Sequence, residues 1–162
     1  MTHNTLHEAG SDKDLQMHII GLSDPDKGVR AEAMRGLVTI GEGAIPACID
    51  LLRADDDWRV RYRAAEALGL IGDEKAYESL ISALRDGKDH VRYMSAKGLG
   101  LIGDPRAVVH LKKAQRDENE FVRRAAARSL GGIGGAEAIA ALRDALAIES
   151  TEGVHEVIAI AL

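Results

Sequence analysis

Histidine beside a carboxylate can ligate a metal or move a proton, and a thiol is a strong nucleophile once ionised. Such combinations are few in this 162-residue chain: His7-Glu8, His155-Glu156, the spaced pair His3 and His7, and the single Cys48. His3, His7 and Glu8 lie in the polar opening segment MTHNTLHEAGSDKDLQ, with no further ligand types grouped around them. Cys48 stands beside Ile49 and Leu52 and reads as a small buried apolar residue. One cysteine closes no internal disulfide, so nothing calls for an oxidising compartment. No Ser-His-Asp or Cys-His set stands out, and the glycines recur periodically instead of forming a phosphate-binding loop. The expectation is a non-enzymatic protein with no catalytic residues, no metal and no cofactor.

The elements that would position any site are legible from an internal repeat. Val29-Arg30, Val60-Arg61, Val91-Arg92 and Val122-Arg123 follow one another at intervals of 31 residues. Five residues before each valine stands Asp24, Asp55, Asp86 or Asp117, and eleven after it an Ile-Gly pair ending in Gly41, Gly72, Gly103 or Gly134. A fifth, looser copy places Glu149, Val154 and His155 in these columns. Val60, Ala64, Leu68 and Ile71 share one helical face, which defines a helix B in each unit. Asp26, Asp57, Asn119 and Thr151 have the side chains of N-caps for it, whereas Lys88 breaks the pattern. The Ile-Gly glycine closes it. A second helix A fits between that glycine and the next acidic residue, as in KAYESLISALRD.

A lone hairpin of this kind cannot bury its apolar face, so neighbours must stack. The expected fold is all-α: an α-solenoid, or superhelix, of about five stacked antiparallel helical pairs. The units fall near 13–41, 42–72, 73–103, 104–134 and 135–162, after a polar tail over 1–12. Only 3% of residues are aromatic, which suits close helix contacts built from small aliphatic side chains. The Asp and Arg columns predict a ladder of charge-assisted hydrogen bonds between adjacent units, altered at the fifth.

The unit seen as VRYRAAEALGLIGD after Asp55, and as VRYMSAKGLGLIGD after Asp86, resembles HEAT-like repeats of the phycobilin lyase (PBS lyase) type over about residues 13–162. The resemblance implies an α-solenoid, and it allows a lyase-like or chaperone-like subunit for a tetrapyrrole-bearing protein. Deoxyhypusine hydroxylases are similar, and they hold a di-iron centre with His-Glu pairs just after Val-Arg. The matching slots here are Ala31-Glu32, Tyr62-Arg63, Tyr93-Met94 and Arg124-Ala125, so that implication fails.

What the repeat leaves over is a candidate surface. The resemblance implies that helices B line the concave face, with the residues two, three and six after each valine turned outward. These include Tyr62 and Arg63, then Tyr93, Met94 and Lys97, then Arg124 and Arg128; Trp58, Arg59, His90 and Phe121 lie just before the valines. Aromatics, Met and Arg in one strip are the composition enriched in protein interfaces. The competing reading has Tyr62 and Tyr93 shielding the ladder, with Trp58 and Phe121 filling gaps between turns. Residues 58–128 hold 15 Lys and Arg against 10 Asp and Glu, a balance of +5 within a chain of net charge −5. That balance points to an acidic protein partner. The overall pI of about 5.7 and the lack of a long basic cluster argue against nucleic acid. No apolar run is long enough to span a membrane, and the expected location is the cytoplasm. Val157, Ile158, Ile160 and Leu162 spread round the last helix, which fits either a homodimer through 152–162 or part of a longer array, and the homodimer is the expectation.

Overall fold

Three of the B helices begin where an acidic or amide side chain takes over free backbone N–H groups, and the first four end at a glycine that turns the chain back. Asp26, Asp57 and Asn119 accept from the N–H groups of Gly28, Arg59 and Phe121 respectively. Gly72 and Gly103 take left-handed φ values of 73° and 74°, which a side chain would strain. Lys88, the residue that breaks the cap pattern, caps nothing. One expected cap differs: Thr151 Oγ1 accepts from Arg123 Nη2 at 2.9 Å, drawn into the ladder from the preceding hairpin.

The computed structural model describes residues 4–162, with side chains from Asp12 onward. His3 lies outside the described residues, and so do the side chains of His7 and Glu8. Ten α-helices follow in order: α1 (Asn4–Gly21), α2 (Lys27–Ile40), α3 (Ile45–Ala54), α4 (Trp58–Ile71), α5 (Tyr77–Ala83), α6 (Asp89–Ile102), α7 (Val108–Ala114), α8 (Glu120–Ile133), α9 (Gly135–Leu146) and α10 (Glu152–Ala161). Short 3-10 turns at Gly41–Ala44, Glu74–Ala76 and Pro105–Ala107 lead into α3, α5 and α7. The odd-numbered helices are the A helices and the even-numbered ones the B helices, which makes five hairpins. The first helix starts at Asn4, inside the segment read as a tail.

The core is a continuous run of alanine and leucine. Leu37, Leu68, Leu99 and Leu130, one in each of the first four hairpins, have no solvent exposure, and Leu80, Leu111 and Leu142 of the A layer match them. B helices lie against one another more extensively than A helices do. Small residues are the reason: a Cβ on Gly69 would fall 2.7 Å from the Gly98 Cα across the α4–α6 contact, and one on Gly100 would collide with Ser129 of α8. The layer with the shorter spacing forms the inner arc of a curved stack, so the B helices line the concave side.

The ladder runs from each hairpin to the next. Arg61 grips Asp86 through Nε (2.8 Å) and Nη2 (3.0 Å), and Arg92 grips Asp117 at the same two distances. Arg123 reaches Glu149 at 2.8 and 3.3 Å, so the longer acid keeps the rung closed. Each arginine also donates from Nη1 to the carbonyl of its own hairpin's aspartate, as Arg61 does to Asp55 at 2.8 Å. The first rung differs: Arg30 donates to the carbonyls of Asp24 and Pro25, and among the described residues it forms no ion pair with Asp55.

Candidate functional site

At the starts of α4, α6 and α8, three repeat columns converge on the concave side. Trp58, Asp89 and Glu120 stand two residues before their valines, Arg59, His90 and Phe121 one before, and Tyr62, Tyr93 and Arg124 two after. The first turns of three adjacent helices therefore present side chains that lie outside the repeated core columns, of which Trp58, Tyr62 and Tyr93 rest partly on the core and Phe121 is exposed. Tyr62, Asp89, His90, Tyr93, Asn119 and Phe121 enclose a cleft of about 270 Å³.

Polar groups hold one wall. Asn119 Nδ2 donates to Asp89 Oδ2 at 2.7 Å, tying α8 to α6, while Asn119 Oδ1 caps α8. Asp89 Oδ1 accepts from the backbone N–H of His90 at 2.9 Å and lies 2.8 Å from His90 Nδ1. The hydrogen bond with His90 holds the Asp89 carboxyl below its ordinary range, against a small opposing effect of burial.

Aromatic groups and cations make the rest. The Trp58 ring lies 4.8 Å from that of His90 at a tilt of 51°, with Arg59 and Lys88 over its faces at 5.0 and 4.9 Å. Phe121 is 54% exposed, and Arg124 lies 5.4 Å above its ring while donating to Glu120 at 3.3 Å. Tyr62 and Tyr93 are half-buried, and burial, then Glu66 and Tyr93, raises the Tyr62 hydroxyl above its ordinary range, so it is neutral and able to donate.

The expected strip is only partly gathered here. Tyr62, His90, Tyr93 and Phe121 line the cleft, and Trp58, Arg59 and Arg124 stand at its rim. Arg63 is half-buried and donates to the Arg59 carbonyl at 3.3 Å; burial first, then Arg30, lowers its proton affinity. Lys97 is exposed one turn further along α6. Met94 is a correction: it is 2% exposed and packs in the core, as does Ala125 in the same column, because three residues after the valine points into the stack. Arg128 belongs to a separate depression with Gly131, Val157, Ile160 and Ala161.

Sequence reasoning overlooked Asp89, whose column holds Trp58 in the previous hairpin, and the second role of Asn119 beyond its cap. It also overlooked Leu70 and Leu101, which are 48% and 50% exposed at a column that carries Thr39 and Gly132 in the flanking units. Their helical spacing from Glu66 and Lys97, i to i+4, was the available signal.

Elsewhere chemistry is sparse. Cys48 has no solvent exposure, and burial pushes its thiol up to about 11, away from the reactive thiolate. Among the described residues no three His, Cys, Asp or Glu group in a way that could hold a metal ion, and no helix is long and apolar enough to cross a membrane.

The repeat geometry and the sequence agree on a class: the chain belongs to the HEAT repeat family, whose model matches residues 16–92 and 77–162. Comparison with curated proteins found no match. Among solved structures it is similar to a chain in the complex of CpcE and CpcF of phycocyanin lyase from Nostoc sp. PCC7120, at 26% identity and a TM-score of 0.82, covering 92% of this chain and 98% of that one. A designed armadillo repeat protein in complex with the peptide (KR)4 shares the fold at 20% identity and a TM-score of 0.60, covering 98% and 83%. YibA from E. coli does so at 16% and 0.67, covering 98% and 62%.

Proposed function

We propose that this chain is a protein-binding HEAT-repeat module whose concave cleft, at the starts of α4, α6 and α8, receives a segment of a partner protein. The observation that carries this reading is the cleft of about 270 Å³ in which an exposed phenylalanine, Phe121, faces two tyrosines whose rings rest partly on the core and leave the rest open to the cleft. Aromatic walls bury an apolar side chain of the partner; Asp89 and Asn119 can meet its backbone groups; Arg59, Lys88 and Arg124 around the rim favour acidic residues beside it. The designed armadillo protein with its bound peptide supports such a use of a helical-repeat groove in general.

A second reading has the similarity to the phycocyanin lyase complex, over nearly the whole of both chains, as its support. In it this chain is a lyase-like or chaperone-like subunit for a tetrapyrrole-bearing protein. An absorbance scan after incubation with a bilin distinguishes the two: a shifted and intensified pigment band favours the second, an unchanged spectrum the first.

The first reading is tested by affinity capture from lysate with the wild type and a Tyr93→Ala/Phe121→Ala variant of equal helicity. Loss of a captured protein by about tenfold or more is expected, since removing two interface aromatics costs several kcal/mol. Equal recovery would move the docking surface elsewhere.

A further inference from the structure

Buried columns become uncovered at both ends of the described stack, and different columns at each. On the first hairpin Val29 is 41% exposed, although Val60, Val91, Val122 and Val154 of its column are at most 5% exposed. Met17 of α1 is 58% exposed, where Cys48, Ser79 and Ala141 of its column are at 0, 7 and 1% and His110 is half-buried. These columns face the preceding hairpin, and the first hairpin has none before it among the described residues. On the last hairpin the pattern is reversed. Ala159 is exposed where Ala65, Ala96 and Ala127 have no exposure, and Leu162 is 45% exposed where Leu37, Leu68, Leu99 and Leu130 have none. These columns face the following hairpin, on the same side as the ladder arginines. The two end faces are thus the two halves of the interface that recurs between hairpins inside the chain.

Charge completes the match. The Asp24 carboxylate accepts the N–H of Asp26 at 2.7 Å, as every ladder acid does two residues on, yet among the described residues no arginine forms an ion pair with it; Arg30 reaches only its carbonyl. At the other end exposed His155 occupies the donor column. The ladder register sets Asp24 opposite the His155 column, so a base at one end would meet an acid at the other.

We infer that a second copy of this chain stacks head to tail, laying its α1–α2 face on the α9–α10 face of the first and extending the ladder from His155 to Asp24. The contact is heterologous, so each added copy leaves a fresh end, and assembly grows with concentration instead of stopping at a pair. This geometry differs from a two-fold pair through α10 alone.

Sedimentation of the full chain over a wide concentration range tests it, with Val29→Glu blocking one face and Ala159→Arg the other. The wild type is expected to pass beyond a dimer as concentration rises. Each variant alone is expected to stay monomeric, and an equimolar mixture to give a one-to-one dimer, because each supplies the face that the other has lost. His155→Arg is expected to lower the concentration of half-association by about tenfold, the worth of a charge-assisted contact. A wild type that remains a monomer throughout would overturn the inference, and so would a dimer that survives Val29→Glu.

Discussion

At the scale of single residues, the ladder side chains carry the largest individual stakes. Arg92 and Asp117 are 11% and 12% exposed in their side chains, so replacing Arg92 with Met leaves a carboxylate nearly buried without its partner. A loss of about 3 kcal/mol or more is expected by chemical denaturation, against little for the exposed Lys112–Asp144 pair of similar length. Acid should act at the same place. Burial pushes Asp86 and Glu149 up, but hydrogen bonds from Arg61 and Arg123, with those from the N–H groups of Lys88 and Thr151, outweigh it and hold both below the ordinary range. A carboxyl whose pKa is depressed by folding stabilises the fold above its unfolded value near ~4 and loses that contribution as pH falls through the folded one. Melting temperature is therefore expected to drop steeply below pH ~4, and an Asp86→Asn variant, already weakened at neutral pH, to show a shallower drop.

At the scale of elements, close B-helix packing makes two similar glycine changes opposite in sign. Gly69→Ala puts a methyl 2.7 Å from the Gly98 backbone, which cannot move aside without separating α4 from α6, so a loss of about 1–3 kcal/mol is expected. Gly132→Ala in α8 meets nothing within 4 Å and should raise stability by up to about 1 kcal/mol through helix propensity. Thermal unfolding of both variants checks the pair. The helices themselves were largely legible, because the Asp–Val-Arg–Ile-Gly columns mark starts, faces and stops at once. Three features were not. Thr151 was readable as a cap only until Arg123 reached across from the neighbouring hairpin. Met94 looked like surface because its column holds Arg63 in the hairpin before, yet it is 2% exposed, because the position three after the valine points into the stack. The early start of α1 has no periodic apolar signal, since its first residues are polar.

For the whole molecule, the candidate cleft is a product of stacking: no single hairpin contains it, and three must be in register before Tyr62, Asp89 and Phe121 come together. That explains why sequence could point to the strip but could not separate the cleft from Arg128, which lies about two helical turns beyond Phe121 on α8 and lines another depression with α10. It also makes binding dependent on folding, so any test must leave the fold intact. A photo-crosslinking aromatic residue at position 121 meets that requirement, because Phe121 is exposed, and one at exposed Ile148 provides a control. The central claim predicts a covalent adduct with the partner from position 121 and little from position 148. Equal yield from both positions, or adducts from 148 alone, would contradict it.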